Sequence, residues 1–202
     1  MADPSTTSDK VVRLARRKGI LRVRDLIEHG IHPEYLRRLC AAGILQRSGR
    51  GLYLLADADY SANITLVQAA HRVPHGVICL LSALRYHEIG TQLPHEVWMM
   101  IAKRAALPKV DYPRMRFCRA SGMAFHSGIE RHRIDRTDIA IYGVAKTIAD
   151  CLKYRNKIGL DVTLEALRDC LRKKRAPIDE IWMYAKTCRV DRIMRPYLEA
   201  LA

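Results

Sequence analysis

Glycines at positions 19, 30 and 43 restrict how the first part of the chain can fold. Each one ends a segment in which apolar residues recur with helical spacing, and glycine commonly closes a helix because it adopts positive φ without a steric clash. The segments between the glycines have room only for short helices. The sequence therefore predicts three consecutive short helices, over about residues 9–18, 25–29 and 33–42.

The spacing also predicts which side chains of these helices face a core. Ser8 or Asp9 is expected to cap the first helix, and Pro33 suits the first turn of the third. On the third helix, Arg38 is expected on the face opposite the core. The residues predicted to point inward are Val11, Leu14, Ala15, Leu26, Ile27, Leu36, Leu39 and Cys40.

A hairpin is predicted directly after the third helix. Apolar stretches flank a four-residue tip, in which Gly49 and Gly51 permit a tight turn on either side of Arg50. The tip contains no acid, so the five N–H donors of Arg50 are expected to project into solvent. On these residues alone two interpretations stay open: a solvated surface turn, or a wing that contacts the phosphate backbone of a nucleic acid.

The order of three short helices and a basic hairpin within about 50 residues favours the second interpretation. This is the order of a winged helix-turn-helix domain, whose third helix enters the major groove while the wing contacts the backbone. Tyr35 and Arg38 are then expected to face base edges. The residues expected to hold phosphates are Arg22, Arg37, Arg47 and Arg50. A winged helix that binds only protein is the alternative.

The net charge of the chain indicates a polyanionic partner. There are 35 Lys and Arg residues against 21 Asp and Glu, which gives +14 at pH 7. Residues 1–60 account for +4 of this charge and residues 61–202 for +10. Such a balance favours nucleic acid first and an anionic membrane surface second.

The location expected from the sequence is the cytoplasm. No apolar run approaches the roughly 20 residues of a membrane-spanning helix, and residues 1–8 read as a polar, frayed start instead of a signal peptide. The six cysteines lie far apart without a CxxC pair. This usage is typical of reduced, mostly buried thiols.

A polar break over residues 56–61 marks the predicted domain boundary. It separates an N-terminal winged helix-turn-helix domain, residues 1–60, from a larger mixed α/β C-terminal domain, residues 61–202. The second domain is predicted to begin with a helix and to be helical again from Val144 to its end. Its predicted strands lie at about residues 76–80, 96–101, 115–119, 128–133 and 139–142. Strands followed by helices indicate an α+β fold.

Two basic groups in the second domain are candidates for a second DNA surface. The first is the pair Arg131 and Arg133 on a predicted strand. The second group consists of Arg172, Lys173, Lys174 and Arg175. It follows a predicted helix with an apolar stripe formed by Leu160, Leu164, Leu167 and Leu171. A basic run at this place is also typical of a solvated helix end, where it complements the helix dipole.

No metal, cofactor or enzymatic activity is expected from the residues. His126 and His132 could approach each other across strands, but no Cys or carboxylate completes a zinc set. A nuclease site assembled from Asp135, Asp138 and Lys146 would lack the Glu-x-Lys strand of such enzymes. Walker loops, GxSxG and HExxH are missing from the sequence as well.

Five segments of the chain resemble the AbiEi-type antitoxins. They are residues 50–53, 79–87, 92–98, 128–135 and 145–161. The resemblance extends from about residue 8 to residue 202, and the stretch 146–161 is its most specific part. Arg131 departs from the family pattern, which often has an acid there, and makes its strand more basic.

The resemblance implies an antitoxin of a bacterial type IV toxin–antitoxin system. Such a protein is a winged-helix repressor that binds inverted repeats in the promoter of its own operon. It counteracts a nucleotidyltransferase-like toxin without forming a stable complex. Position by position, the resemblance implies DNA contact by the wing at Arg47 and Arg50, and by the third helix from His32 to Arg38. The alternatives are a stand-alone winged-helix regulator and a nucleic-acid-processing enzyme.

Overall fold

Residues 6–55 fold in the order that the sequence predicts. The structure, a computed structural model, describes residues 6–201. A three-stranded antiparallel sheet, with β3 between β1 and β2, packs with three helices, which is the arrangement of a winged helix. The elements are α1 (Thr7–Lys18), β1 (Leu21–Arg22), α2 (Val23–Glu28), α3 (Glu34–Ala41), β2 (Leu45–Arg47) and β3 (Leu52–Leu55). Residues 6–55 are called the winged-helix region below.

A small apolar core holds the three helices against this sheet. All but one of the residues predicted to face inward on α1 and α3 are buried; Cys40 is half-buried. The core consists of Val11, Leu14, Ala15, Leu21, Leu26, Ile31, Leu36, Leu39, Leu45 and Leu55. This packing leaves the opposite face of α3 in solvent.

Two details predicted for the helices are wrong. Thr6 caps α1 in place of Ser8 or Asp9: its hydroxyl accepts a hydrogen bond from the Asp9 N–H, and the Asp9 carboxylate accepts one from the Thr6 N–H. Residues 1–5 of the start expected to be frayed lie outside the described residues. Ile27 is 61% exposed, because α2 begins at Val23 and turns Asp25 and Leu26 inward instead.

The rest of the chain confirms the α+β prediction, with one sheet and helices on both of its faces. Its helices are α4 (Ile64–Arg72), α5 (Leu80–Tyr86), α6 (Met123–His126), α7 (Val144–Lys153), α8 (Arg155–Ile158), α9 (Leu160–Arg172), α10 (Ile178–Cys188) and α11 (Asp191–Leu201). Its strands are β4 (Val77–Ile78), β5 (Val97–Ala102), β6 (Met115–Ala120), β7 (Ile129–Ile134) and β8 (Thr137–Tyr142). Residues 64–201 are called the sheet region below.

The five strands form a mixed sheet in the order β6-β5-β4-β8-β7. The β5–β6 and β4–β8 pairs are parallel, whereas β4–β5 and β7–β8 are antiparallel. Alternate residues of β5 point to opposite faces, as the pleat requires. Met99 packs on the face that α4 covers, while Met100 packs among α5, α7, α9, α10 and α11 on the other. The sheet therefore separates α4 from the main layer of helices.

The leucine stripe predicted for α9 is only partly confirmed. Leu167 is buried, but Leu160 is 38% exposed at the first turn of the helix. The buried stripe of α9 is centred on Val162, Ala166 and Cys170, so the other leucines lie on its flanks. Among the described residues, no helix is long and apolar enough to cross a bilayer.

The winged-helix region is docked on α4 through a shared apolar cluster. Ile20, Leu52 and Leu54 of the winged helix are buried in this cluster. Val67 of α4 is buried in it too, and Ile134 at the end of β7 packs against it. The domain boundary near residue 60 stays a prediction, and apolar contacts cross it.

The turn between β7 and β8 contacts both the segment that connects the two regions, at Ser61, and the winged-helix region, at Gly19. The Asp135 carboxylate accepts hydrogen bonds from the N–H and hydroxyl of Ser61, at 3.2 and 2.8 Å. The Asp135 carbonyl lies so close to Gly19 that a Cβ on this glycine would be 2.2 Å from the oxygen. Gly19 has φ +77°, so glycine is required there by its conformation and by its neighbour.

Replacement of Gly19 tests this contact. Gly43→Ala is the control, because Gly43 has a similar φ of +70° and no atom within 4 Å of the added Cβ. We expect Gly43→Ala to lower the free energy of unfolding by about 1–2 kcal/mol. Gly19→Ala should lower it by about 1–3 kcal/mol more, because the methyl group collides with Asp135.

Urea denaturation of the full chain measures both values. Hydrogen exchange separates the collision from backbone strain: the Ser61 amide should exchange faster in Gly19→Ala and at the wild-type rate in Gly43→Ala. Equal losses of stability with unchanged Ser61 exchange would contradict the contact.

Candidate nucleic-acid interface

The exposed face of α3 carries the side chains that the sequence predicts for base contacts. Arg38 is exposed, and its guanidinium lies 5.6 Å from the centre of the Tyr35 ring. Tyr35 itself is half-buried and packs against the core, which fixes the ring. A guanidinium held over an aromatic ring keeps its donors directed outward. Arg38 is thus positioned on the surface of α3 by a residue of the same helix.

Arg37 and His32 have local partners on α3. The Arg37 guanidinium donates to the Glu34 carboxylate, with a distance of 2.8 Å from Nε. This hydrogen bond lowers the pKa of Glu34. His32 Nδ1 accepts a hydrogen bond from the Glu34 N–H at 3.2 Å. Their predicted DNA contacts stay predictions, and a phosphate at Arg37 would compete with Glu34.

Arg22 lies at the start of α2 beside a buried carboxylate. Asp25 is 1% exposed and accepts hydrogen bonds from Lys18 Nζ at 2.6 Å and from the Arg22 N–H at 2.7 Å. Burial alone would raise the pKa of Asp25, but these hydrogen bonds outweigh it and the pKa is lowered. The Arg22 side chain reaches Asp25 only through Nε, at 3.4 Å. The hydrogen bonds to Asp25 anchor the start of α2, and they leave the terminal nitrogens of the Arg22 guanidinium outside the ion pair.

The wing carries Arg50 at its exposed tip and Arg47 on the strand before it. The Arg47 Nε–H donates to the Gly49 carbonyl at 3.3 Å, whereas no described residue forms a hydrogen bond or ion pair with Arg50. The wing is held by the sheet region at the first residue of its tip, since the side-chain amide of Gln68 donates to the Ser48 hydroxyl. The wing therefore presents its arginines from a fixed position.

Arg72, at the end of α4, is a further cation of this surface that sequence reasoning missed. It lies against Gly49, and a Cβ there would be 3.0 Å from its Nη2. Its pKa is lowered by burial and by the charges of Arg50 and Arg47, against the opposing effect of Asp111. Its Nε lacks a hydrogen-bond partner among the described residues. The sequence showed only that Arg72 is a basic residue in the last turn of a predicted helix, and such residues are too common to indicate a binding site.

The structure places the two predicted basic groups of the sheet region on different elements. Arg131 and Arg133 are exposed on β7, and Arg131 lines the same groove as Arg22. The run from Arg172 to Arg175 begins at the last residue of α9, in the layer on the other face of the sheet from α4. Arg131 therefore shares a groove with the winged-helix region, whereas the run at the end of α9 belongs to the other layer.

The basic run after α9 is also partly neutralised. Asp169 forms ion pairs with Arg172 at 2.6 Å and with Lys173 at 2.7 Å. The hydrogen bond from Lys173 is the main cause that lowers the pKa of Asp169. Lys173 also donates to the Glu88 carbonyl at 2.8 Å, while Lys174 and Arg175 are exposed. The predicted DNA contact of these four residues stays a prediction.

Two of the three residues considered for a nuclease, Lys146 and Asp135, have other partners. Lys146 is fully buried, forms an ion pair with Asp150 of the same helix and lies 4.1 Å from the centre of the Tyr142 ring. Burial raises the pKa of Asp150, which also accepts a hydrogen bond from the Cys188 thiol. Asp135 serves the contact with Ser61 described above. In the part of the chain that the structure describes, no three His, Cys, Asp or Glu residues are grouped to hold a metal ion.

Comparison with known proteins identifies the winged-helix region. Residues 9–56 match the family of transcriptional regulators described as AbiEi antitoxins, so the resemblance seen in the sequence is confirmed there. The fold is similar to the crystal structure of the RV2827C protein from Mycobacterium tuberculosis, with a TM-score of 0.62 and 14% identity. That match covers 92% of this chain and 73% of the other, and at this identity it concerns the fold alone. No curated protein matches the sequence.

Proposed function

We propose, from the premise that residues 9–56 are those of an AbiEi-type transcriptional regulator, that the chain binds double-stranded DNA through α3 and the wing. On this proposal it represses its own operon from inverted repeats in the promoter, in the cytoplasm. It also counteracts a nucleotidyltransferase-like toxin, without a stable complex between the two proteins.

The observation that carries the proposal is the exposed basic surface of the winged-helix region. Arg38 stands on the outer face of α3, and Arg50 stands at the tip of a wing whose position is fixed. Side chains of α3 would reach base edges in the major groove, while the wing would reach phosphates. Inverted repeats present two half-sites, so two copies of the chain would bind one operator.

The antitoxin part of the proposal rests on the family match and assigns the toxin-opposing activity to the sheet region. A stand-alone regulator is the competing function, and it predicts no effect on a toxin. The proposal assigns the chain no catalytic step. Incubation of labelled DNA and RNA with the protein and Mg²⁺ or Mn²⁺ tests this, since cleavage would favour a nucleic-acid-processing enzyme.

The wing is tested by Arg50→Ala. We expect weaker binding to promoter DNA and to random duplex by similar factors, because a phosphate contact carries little sequence information. The slope of log affinity against log salt should become shallower by about 0.9. Arg192→Ala, an exposed arginine of α11 in the other helix layer, is the control for the change in net charge. A loss confined to the promoter, or an equal loss in the control, would contradict a wing that binds the backbone.

The third helix is tested by Arg38→Ala, with Arg37→Ala as its neighbour for comparison. If Arg38 contacts a guanine, its loss should cost about 1–3 kcal/mol on the promoter repeat and much less on a scrambled duplex. Arg37 is held by Glu34, and its replacement should affect both duplexes alike. Fluorescence anisotropy at one salt concentration measures all four affinities. Equal losses on both duplexes in Arg38→Ala would reassign Arg38 to phosphate.

The antitoxin function is tested in cells by co-expression with the product of the adjacent gene. If that gene encodes a nucleotidyltransferase-like protein, we expect it to arrest growth and the full-length chain to restore growth. The double variant Arg38→Ala, Arg50→Ala should still restore growth while failing to repress a promoter reporter. Growth arrest that the wild-type chain does not relieve would favour the stand-alone regulator.

A further inference from the structure

Three arginines line a groove between the winged-helix region and the sheet region. Arg22 and Arg24 enter it from the start of α2, Arg131 enters it from β7, and His71 lies in it from α4. The groove has a volume of about 180 Å³, and its wall includes Gly76 and the first residues of β8. Side chains from four separate elements thus line a space that is large enough for a phosphate group.

The charge of this groove is largely uncompensated. Asp138 is the acid that lines it, against three arginines. The Arg24 and Arg131 side chains are exposed and form no hydrogen bond or ion pair with the described residues. Arg22 contacts Asp25 through Nε alone, because Lys18 and the Arg22 N–H occupy that carboxylate. Three guanidinium groups with free donors face one opening, which is the chemistry that binds phosphate.

The groove lies at the same end of the winged-helix sheet as the wing tip. Arg22 pairs with Leu52, the first residue of β3, directly after Gly51 of the tip. Arg72 lies beside the wing tip, while the preceding residue, His71, faces the groove. The C-terminal turn of α4 therefore connects the arginines of the wing with those of the groove. A duplex backbone that follows this end of the molecule would meet both.

We propose that this groove binds a phosphodiester group of the same duplex that the winged helix binds, with Arg22, Arg24 and Arg131 as its ligands. The inference rests on the proposed DNA-binding function and extends it to the sheet region. Arg131 supplies a contact from outside the winged-helix region. The contact adds affinity without sequence preference, because guanidinium groups that hold a phosphate do not contact bases.

Arg131→Ala tests the groove, with Arg192→Ala as the control for the change in net charge. Both arginines are exposed, but Arg192 lies on α11 and does not line the groove. In the full-length protein, we expect Arg131→Ala to weaken binding to promoter and random duplex alike. The expected loss is roughly eightfold at 0.1 M salt, and the salt slope should become shallower by about 0.9. Arg192→Ala should bind as the wild type does.

His71 provides a direct readout inside the groove. The pKa of His71 is lowered to about 4. Burial is the main cause, and the positive charges of Arg22, Arg24 and Lys18 add to it against the opposing charge of Asp25. A phosphate beside His71 would offset these positive charges together with that of Arg131. The pKa of His71, followed by its Cε1–H signal in NMR, should therefore rise when a duplex binds. The signal is assigned by its loss in His71→Gln, and the rise should be smaller in Arg131→Ala.

The outcomes separate this inference from the proposed function. A wild-type protein that binds no DNA overturns the proposed function. A wild-type protein that binds DNA, with equal affinities for Arg131→Ala and Arg192→Ala and an unchanged His71 signal, overturns the groove site alone. A His71 shift with 5 mM inorganic phosphate but none with a duplex would assign the groove to a free anion, and would likewise overturn the proposal. Melting temperatures of both variants confirm that they are folded.

Discussion

The close packing of the winged helix on α4 is the contact on which the rest of the surface depends. Ile20, Leu52 and Leu54 of the winged helix are buried in one cluster with Val67 of α4. Apolar burial fixes the distance between the two regions but not their rotation, because it is non-directional. The contact of the Asp135 carbonyl with Gly19 and the hydrogen bond from Gln68 to Ser48 lie at separate points of the interface and fix that rotation. The wing and the groove consequently keep one relative position.

This docking concentrates positive charge, which is costly without a counterion. Arg72 is brought next to Arg47 and Arg50, and Arg22 and Arg24 are brought next to His71, so these cations add to the effect of burial in lowering the pKa values of Arg72 and His71. Apolar and hydrogen-bonded contacts between the regions offset this repulsion in the free protein. A bound polyanion would relieve it and would also release its own counterions. The repulsion is thus a part of the free energy that DNA binding can recover.

The sequence predicted the elements because their signals are local. Gly19, Gly30 and Gly43 end helices wherever they occur in such a pattern, and the hairpin follows from its own glycines. Ile27 was wrongly predicted to face the core because α2 buries Asp25 and Leu26 instead. The burial of the Asp25 carboxylate depends on its ion pair with Lys18, seven residues away, which the helical spacing alone does not indicate. Arg24 and Arg72 were missed because their importance arises from contacts between distant segments, such as Ser61 with Asp135. A pattern within one helix carries no information about such contacts.

Helix α4 contributes to both regions of the surface: Val67 packs against the apolar residues of the winged helix, and Arg72 adds a charge to the proposed DNA surface. A fragment that ends near residue 60 would lose Val67 together with Arg72 and Arg131, and would expose Leu52 and Leu54 on the sheet of the winged helix. Weak DNA binding by such a fragment could then result from a disturbed wing as readily as from lost phosphate contacts. Only substitutions that remove a charge and keep the buried cluster intact separate the two causes. Arg131 meets this requirement because it is exposed on β7 and takes no part in the cluster.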